Sequence, residues 1–185
     1  MASGRGKRFG GNKLMADFGG QPLIARVLEA TRDLFSRRVV VTRHEDVAQF
    51  CRARGIDVIL HDLPLRSDTV RLGLEAVGTG ADGCLFCPGD QPLLRRETVT
   101  DMVHAIGENP RFIRQLRHGD TPAAPVFFPA AYFQELKNLP DGKGGGVLLK
   151  KYPEQVRYVP AREAFECMDV DTPDDLNTLL TYWER

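Results

Sequence analysis

Four short stretches of this 185-residue sequence carry residue types and spacings that could do chemistry. The first is "MASGRGKRFGGNKL", where Gly4, Gly6, Gly10 and Gly11 let the backbone turn with positive φ and bring its N–H groups close to an anion. Arg5, Lys7, Arg8 and Lys13 add positive charge of the kind a triphosphate uses. The stretch is not a Walker A loop, because no Gly-Lys-Ser/Thr closes it, and Phe9 stands where a G-x-G-x-x-G fingerprint needs glycine. A disordered basic arm is the plain alternative. The second stretch, "CPGDQPLL", puts Asp90 just after an apolar run, where one carboxylate can hold Mg²⁺ together with phosphate oxygens and water. A simple Gly-Asp turn explains the same residues.

The third stretch is "MDVDTPDDL". Thr172 reads as a helix N-cap, Pro173 as the first helical residue and Asp175 as the acid that reaches back to the cap. Asp169 and Asp171 are left over, flanking Val170, and alternation sends both to one face. A second metal carboxylate is expected there. The fourth, "DGKGGGVLL", sets Lys143 in a glycine run before a helix, either an anion cradle or a flexible surface loop.

These stretches need a scaffold, and the pattern around them supplies one. Val39 to Val41, "GIDVIL" (55–60) and "DGCLFCPGD" (82–90) are short apolar runs expected to form buried strands. Between them Leu23, Val27, Ala30 and Leu34 share one helical face, as do Val70, Leu74 and Val77, and then Val99, Met102, Val103 and Ile106. The alternation predicts an α/β fold with a Rossmann-like, mostly parallel sheet and helices on both faces, in a single domain over residues 1–185. Ligands in such folds sit outside the carboxyl ends of the strands. Farther on, the pattern predicts a strand, a Gly-Asp turn and a second strand ending at Pro129, then a strand at "EQVRYVP" and a terminal helix.

Composition excludes several classes. Lys+Arg and Asp+Glu are equal at 25 each, so no global field draws the chain to nucleic acid or an acidic membrane. No apolar run approaches the roughly 20 residues that span a bilayer. Of the four cysteines only Cys84 and Cys87 have metal-like spacing, and no second pair completes a zinc site. They read as core thiols of a reduced, cytoplasmic protein.

In order, these segments resemble the MobA-like NTP transferase family over nearly the whole chain, most closely its molybdenum cofactor cytidylyltransferase branch. Ala2, Gly4, Arg8, Gly10 and Lys13 match the family's opening L-A-A-G-x-S-x-R-M-G-x-x-K, with Gly6 in place of Ser and Phe9 in place of Met. "GGQPLI", "LRSDTVRLGL", "PGDQPLL", "PAAPVFF", "DGKGGG" and "DVDTPDDL" match later segments. The resemblance implies transfer of CMP from CTP to a molybdopterin-type cofactor with release of pyrophosphate. It implies that Arg8 and Lys13 hold the triphosphate and that Asp90 holds Mg²⁺ with Asp171 as its partner. Ala2, Ser3, Gly4, Gly6 and Ser67 would line the nucleotide, and Asp141 and Lys143 would face the acceptor. GTP as donor, a sugar phosphate as acceptor, and a non-catalytic module serving a recipient molybdoenzyme are the alternatives.

The family also carries an apolar strand before the glycine loop, and Met1 stands at the position of its last residue. The expectation is a sheet without its usual first strand, with Met1 an internal methionine of a longer chain.

Overall fold

The computed structural model describes residues 1–4, 6 and 8–183. Arg5 and Lys7, counted above among the loop's cations, lie outside the described residues. Three consecutive valines favour extended backbone, and they form β1 (Val39–Thr42). It pairs in parallel with β2 (Asp57–Leu60), Val40 opposite Val58. The crossover between them is α2 (Glu45–Arg52), which buries Val47, Ala48 and Cys51. Ahead of β1 lies α1 (Leu23–Ala30), starting directly after Pro22, whose fixed φ suits a helix entry.

After β2, α3 (Arg66–Val77) leads to β3 (Gly83–Phe86) and α4 (Arg96–Glu108) to β4 (Ile113–His118). A two-residue turn at Gly119 and Asp120, with Gly119 at φ +56°, folds β4 back onto β5 (Thr121–Pro129). The helices α5 (Phe133–Lys137) and α6 (Gly146–Lys151) precede β6 (Val156–Pro160), and α7 (Pro173–Trp183) follows it. The second sheet has the order β3-β5-β4-β6, with β4 and β6 parallel and β5 antiparallel to both β3 and β4. The fold is therefore α/β, as expected, but its sheet is mixed from β5 onward. Helices cover both faces of this sheet. Val70, Leu74, Leu136 and Leu148 from α3, α5 and α6 pack with Phe128 and Ile113, while Val99 and Met102 of α4 pack with Leu116 and Val159.

The two sheets meet at residues 1 and 2. Ala2 forms a parallel bridge to Thr42, its N–H donating to the Val41 carbonyl at 2.9 Å. The Thr42 hydroxyl donates to the Ala2 carbonyl at 2.8 Å, and the Gly89 N–H donates to that of Met1 at 2.9 Å. Beyond this joint, β1 and β3 flank a groove of about 400 Å³ lined by Ile24, Val27, Val39, Val41, Leu85 and Cys87. No strand of the described residues lies in it. The groove corrects one expectation: the apolar run of β3 predicts a buried strand, yet each of its residues is only half-buried. Likewise β2, an edge strand, exposes Asp57 and Leu60. No helix of the described residues is long and apolar enough to cross a membrane.

Candidate active site

The glycine loop leaves the joint between the sheets and wraps the carboxyl ends of β1 and β3. Its geometry demands glycine at position 6, where φ is +59° and a Cβ would lie 2.0 Å from the Gly11 carbonyl oxygen. The Gly6 carbonyl accepts from the N–H groups of Phe9 and Gly10, both at 3.0 Å, closing the turn that carries Arg8. Asn12 then anchors the end of the loop. Its amide nitrogen donates to both oxygens of Asp46, at 2.8 and 3.0 Å, and its side-chain oxygen accepts from Leu14 N–H, capping a 3-10 turn that begins at Lys13. The base of the Lys13 side chain is thus tied to the first turn of α2.

Lys13 is buried, its side chain 10% exposed, and its ammonium makes three contacts. Asp90 Oδ2 lies at 2.6 Å, Asp171 Oδ1 at 3.0 Å and the Val170 carbonyl at 2.6 Å. Burial alone lowers the Lys13 pKa, but the two carboxylates overcome it and raise it above the ordinary lysine value. Arg8 donates to the other oxygen of Asp171 at 2.7 Å. Lys13 above all, and then Arg8, hold the Asp171 carboxyl below its ordinary value.

The acids come from two chain segments locked together by a single backbone bond, Val170 N–H to the Asp90 carbonyl at 2.9 Å. The capping arrangement expected at α7 is present: Asp175 Oδ2 accepts from the N–H groups of Asp171 and Thr172, at 3.0 and 2.7 Å, and Thr172 accepts from Asp175 N–H at 3.2 Å. The helix cap therefore also fixes Asp171. Asp169 lies on the same side as Asp171, hydrogen-bonded to the Gln91 side chain. Its own burial first, and then the nearby Asp90 charge, push its carboxyl above the ordinary value.

These groups border a cavity of about 560 Å³. Met1, Ser3, Gly4, Lys13, Asp90, Asp169 and Asp171 form one end of it. Ser3 is held by two contacts, its hydroxyl 3.1 Å from the Val41 carbonyl and 2.9 Å from His61 Nε2. The opposite wall is apolar: Phe86, Val126, Phe128, Leu136 and Leu149. Gly145 must be glycine to sit there, since a Cβ would lie 2.9 Å from the Phe128 ring. Arg66 and Arg43 add two cations to the rim.

Of the residues named from sequence, the structure brings Ser3, Gly4, Lys13, Asp90 and Asp171 to this cavity, with Arg8 joined to them through Asp171. Ala2 and Gly6 shape the loop without lining the cavity. Ser67, Asp141 and Lys143 are not among the residues that line the cavity. Asp141 and Lys143 are exposed on a turn, because Gly142 adopts φ +71° and Lys143 N–H bonds back to the Pro140 carbonyl. The Ser67 hydroxyl accepts from the Gly142 N–H at 3.2 Å, tying α3 to that turn. Gly144, Gly145 and Gly146 face the cavity instead. Arg43, Arg66, Phe86 and Phe128 were not anticipated. Only Arg66, directly before Ser67, had a sequence signal.

A glycine-rich loop carrying a cation, with acids at the ends of neighbouring segments of an α/β fold, is the kind of arrangement that suits a phosphate-bearing ligand. The MobA-like NTP transferase domain matches residues 1–156, and the chain belongs to that family. The 3-deoxy-manno-octulosonate cytidylyltransferase of Neisseria meningitidis serogroup B (strain ATCC BAA-335 / MC58) is 33% identical over 101 residues. That match covers 52% of this chain and 40% of the relative, so the chain matches well under half of the relative's length. Rv0371c from Mycobacterium tuberculosis H37Rv superposes with a TM-score of 0.84 at 26% identity, covering 97% of this chain and 95% of that one. Its complex with manganese superposes at 0.77 with 25% identity, over 97% and 94% of the chains. A molybdopterin-guanine dinucleotide biosynthesis protein A from Archaeoglobus fulgidus shares the fold, with a TM-score of 0.73 at 23% identity over 99% and 96% of the chains.

Proposed function

We propose that this chain transfers CMP from CTP to the phosphate of a molybdopterin-type cofactor and releases pyrophosphate, with Mg²⁺ bound by Asp90 and Asp171. The observation that carries the reading is the convergence of Lys13, Asp90 and Asp171 at one end of the cavity of about 560 Å³. The donor set fits the metal. Two carboxylates already close on one cation, the Lys13 ammonium, and among the described residues no group of three or more His, Cys, Asp or Glu gathers to form an all-protein cage. Mg²⁺ takes one or two carboxylates and fills its remaining positions with phosphate oxygens and water. Bound there, it would neutralise phosphate charge during transfer.

The chain's own residues position and neutralise. An oxygen of the acceptor phosphate attacks the α-phosphorus in line, the bond from that phosphorus to the β-phosphate oxygen breaks, and pyrophosphate leaves with the negative charge. Lys13 and Arg8 stabilise that departing charge. Ser3 and Gly4 border the nucleotide end. The apolar wall of Phe86, Phe128, Leu136 and Leu149 suits a flat heterocycle. No covalent intermediate is required.

The Neisseria relative's name favours a second reading, with a sugar acid as acceptor. Calorimetry with Mg²⁺ and either CTP or GTP tests the donor: selective CTP binding supports the reading, and selective GTP binding replaces it with a guanylyltransferase. Pyrophosphate release with molybdopterin against 3-deoxy-manno-octulosonate then tests the acceptor.

A further inference from the structure

Both cations assigned to the triphosphate are engaged in this structure by the carboxylates assigned to the metal. The Lys13 ammonium donates to Asp171 and the Val170 carbonyl and is ion-paired with Asp90 at 2.6 Å. Its charge is thus already taken up by protein oxygens. Arg8 covers the second oxygen of Asp171. A nucleotide arriving alone would have to pull Lys13 away and leave two partly desolvated carboxylates facing each other, close to Asp169. A divalent cation arriving alone would have to evict the ammonium from both carboxylates, leaving Asp169 as the remaining acid among the described residues that line the cavity. Either step breaks a partly shielded ion pair without an equal replacement, which is costly.

We propose that Lys13 is the resident counter-ion of Asp90 and Asp171 and yields its place only in exchange for a divalent cation, so that metal and triphosphate are taken up together. The inference rests on the metal and nucleotide sites proposed above. In the exchange, carboxylate–lysine and metal–triphosphate pairs become carboxylate–metal and lysine–triphosphate pairs, so opposite charges stay matched throughout. Because Asn12, through Asp46 and the turn at Lys13–Met15, anchors the base of the side chain, the swap requires rotation of the lysine rather than movement of the loop. Metal and nucleotide are then positively and reciprocally coupled.

The test measures free Mn²⁺ by electron paramagnetic resonance with wild type and Lys13→Met, with and without CTP, after correction for MnCTP formed in solution. Lys13→Met is expected to bind Mn²⁺ about tenfold more tightly than wild type in the absence of nucleotide, within the usual range of coupling. In wild type, CTP should tighten Mn²⁺ by several-fold more than it does in Lys13→Met, where direct contact between phosphate and metal is the coupling that remains. Asp171→Asn, which frees Arg8 and loosens Lys13, should bind metal-free CTP more tightly than wild type, and it serves if Lys13→Met does not fold by circular dichroism. Equal or weaker Mn²⁺ binding by Lys13→Met, with wild type still binding MnCTP, overturns the exchange and leaves the nucleotidyltransferase reading standing. Failure of wild type to bind MnCTP overturns both.

Discussion

Asp90 is the residue on which most of the proposed chemistry depends, since it touches Lys13 and its carbonyl fixes Val170. Asp90→Ala is expected to lower turnover by at least about a hundredfold, the scale seen when one preorganised electrostatic partner is lost. Pyrophosphate release with wild-type-like circular dichroism checks this; unchanged turnover would turn the reading toward a binding module. The cysteines make the opposite case. Burial pushes the Cys84 thiol up to about 12 and the Cys87 thiol to about 11. Since the thiolate is the reactive form, iodoacetamide labelling of both should be slow at pH 8, quicken about tenfold per pH unit, and become fast on unfolding. The folded values lie above the unfolded ones, so the stability these thiols contribute is complete below about pH 9 and is lost as pH rises through the folded values. Lys13, Asp90 and Asp171, which the structure brings together, were legible as candidates because their signals are local: glycines that relax a loop, and acids that follow strands. It missed Phe86 and Phe128, ordinary core residues that become a cavity wall only when β3 and β5 pair.

At the scale of elements, Glu166 shows how a site can rest on a residue with no motif. Wholly buried, it accepts from Arg95 N–H at 3.2 Å and from Arg162 and Glu163 N–H at 3.1 and 3.0 Å. The first of these bonds satisfies the start of α4, just after the Asp90 loop. Glu166→Ala leaves three amides without their acceptor and should cost about 3 kcal/mol, read from urea unfolding; a loss under about 1 kcal/mol would mean water replaces the carboxylate. Helix signals were legible where a cap and a periodic face coincide, as at Pro22 before α1 and Thr172 before α7. The buried acid was not, because its partners are backbone groups 71 residues away in sequence as well as next door. The placement of the turn at Asp141 and Lys143 was illegible for a related reason. Composition marks Asp141 and Lys143 as polar, but only the φ of Gly142 decides that they face solvent.

For the whole molecule, the decisive feature is that among the described residues the two sheets are bridged through residues 1 and 2, with the groove between β1 and β3 beyond them. Along a strand, polar backbone groups alternate in direction, and by that alternation the Val39, Val41 and Leu85 amides face the groove. They should exchange with solvent faster than those of Leu116 and Phe127, inside the four-stranded sheet. Amide exchange followed by mass spectrometry decides; equal protection would mean that the groove is closed in solution. The order of strands and helices was legible from alternation, but the half-burial of β3 was not, since a continuous apolar run reads the same whether or not a neighbour covers its edge.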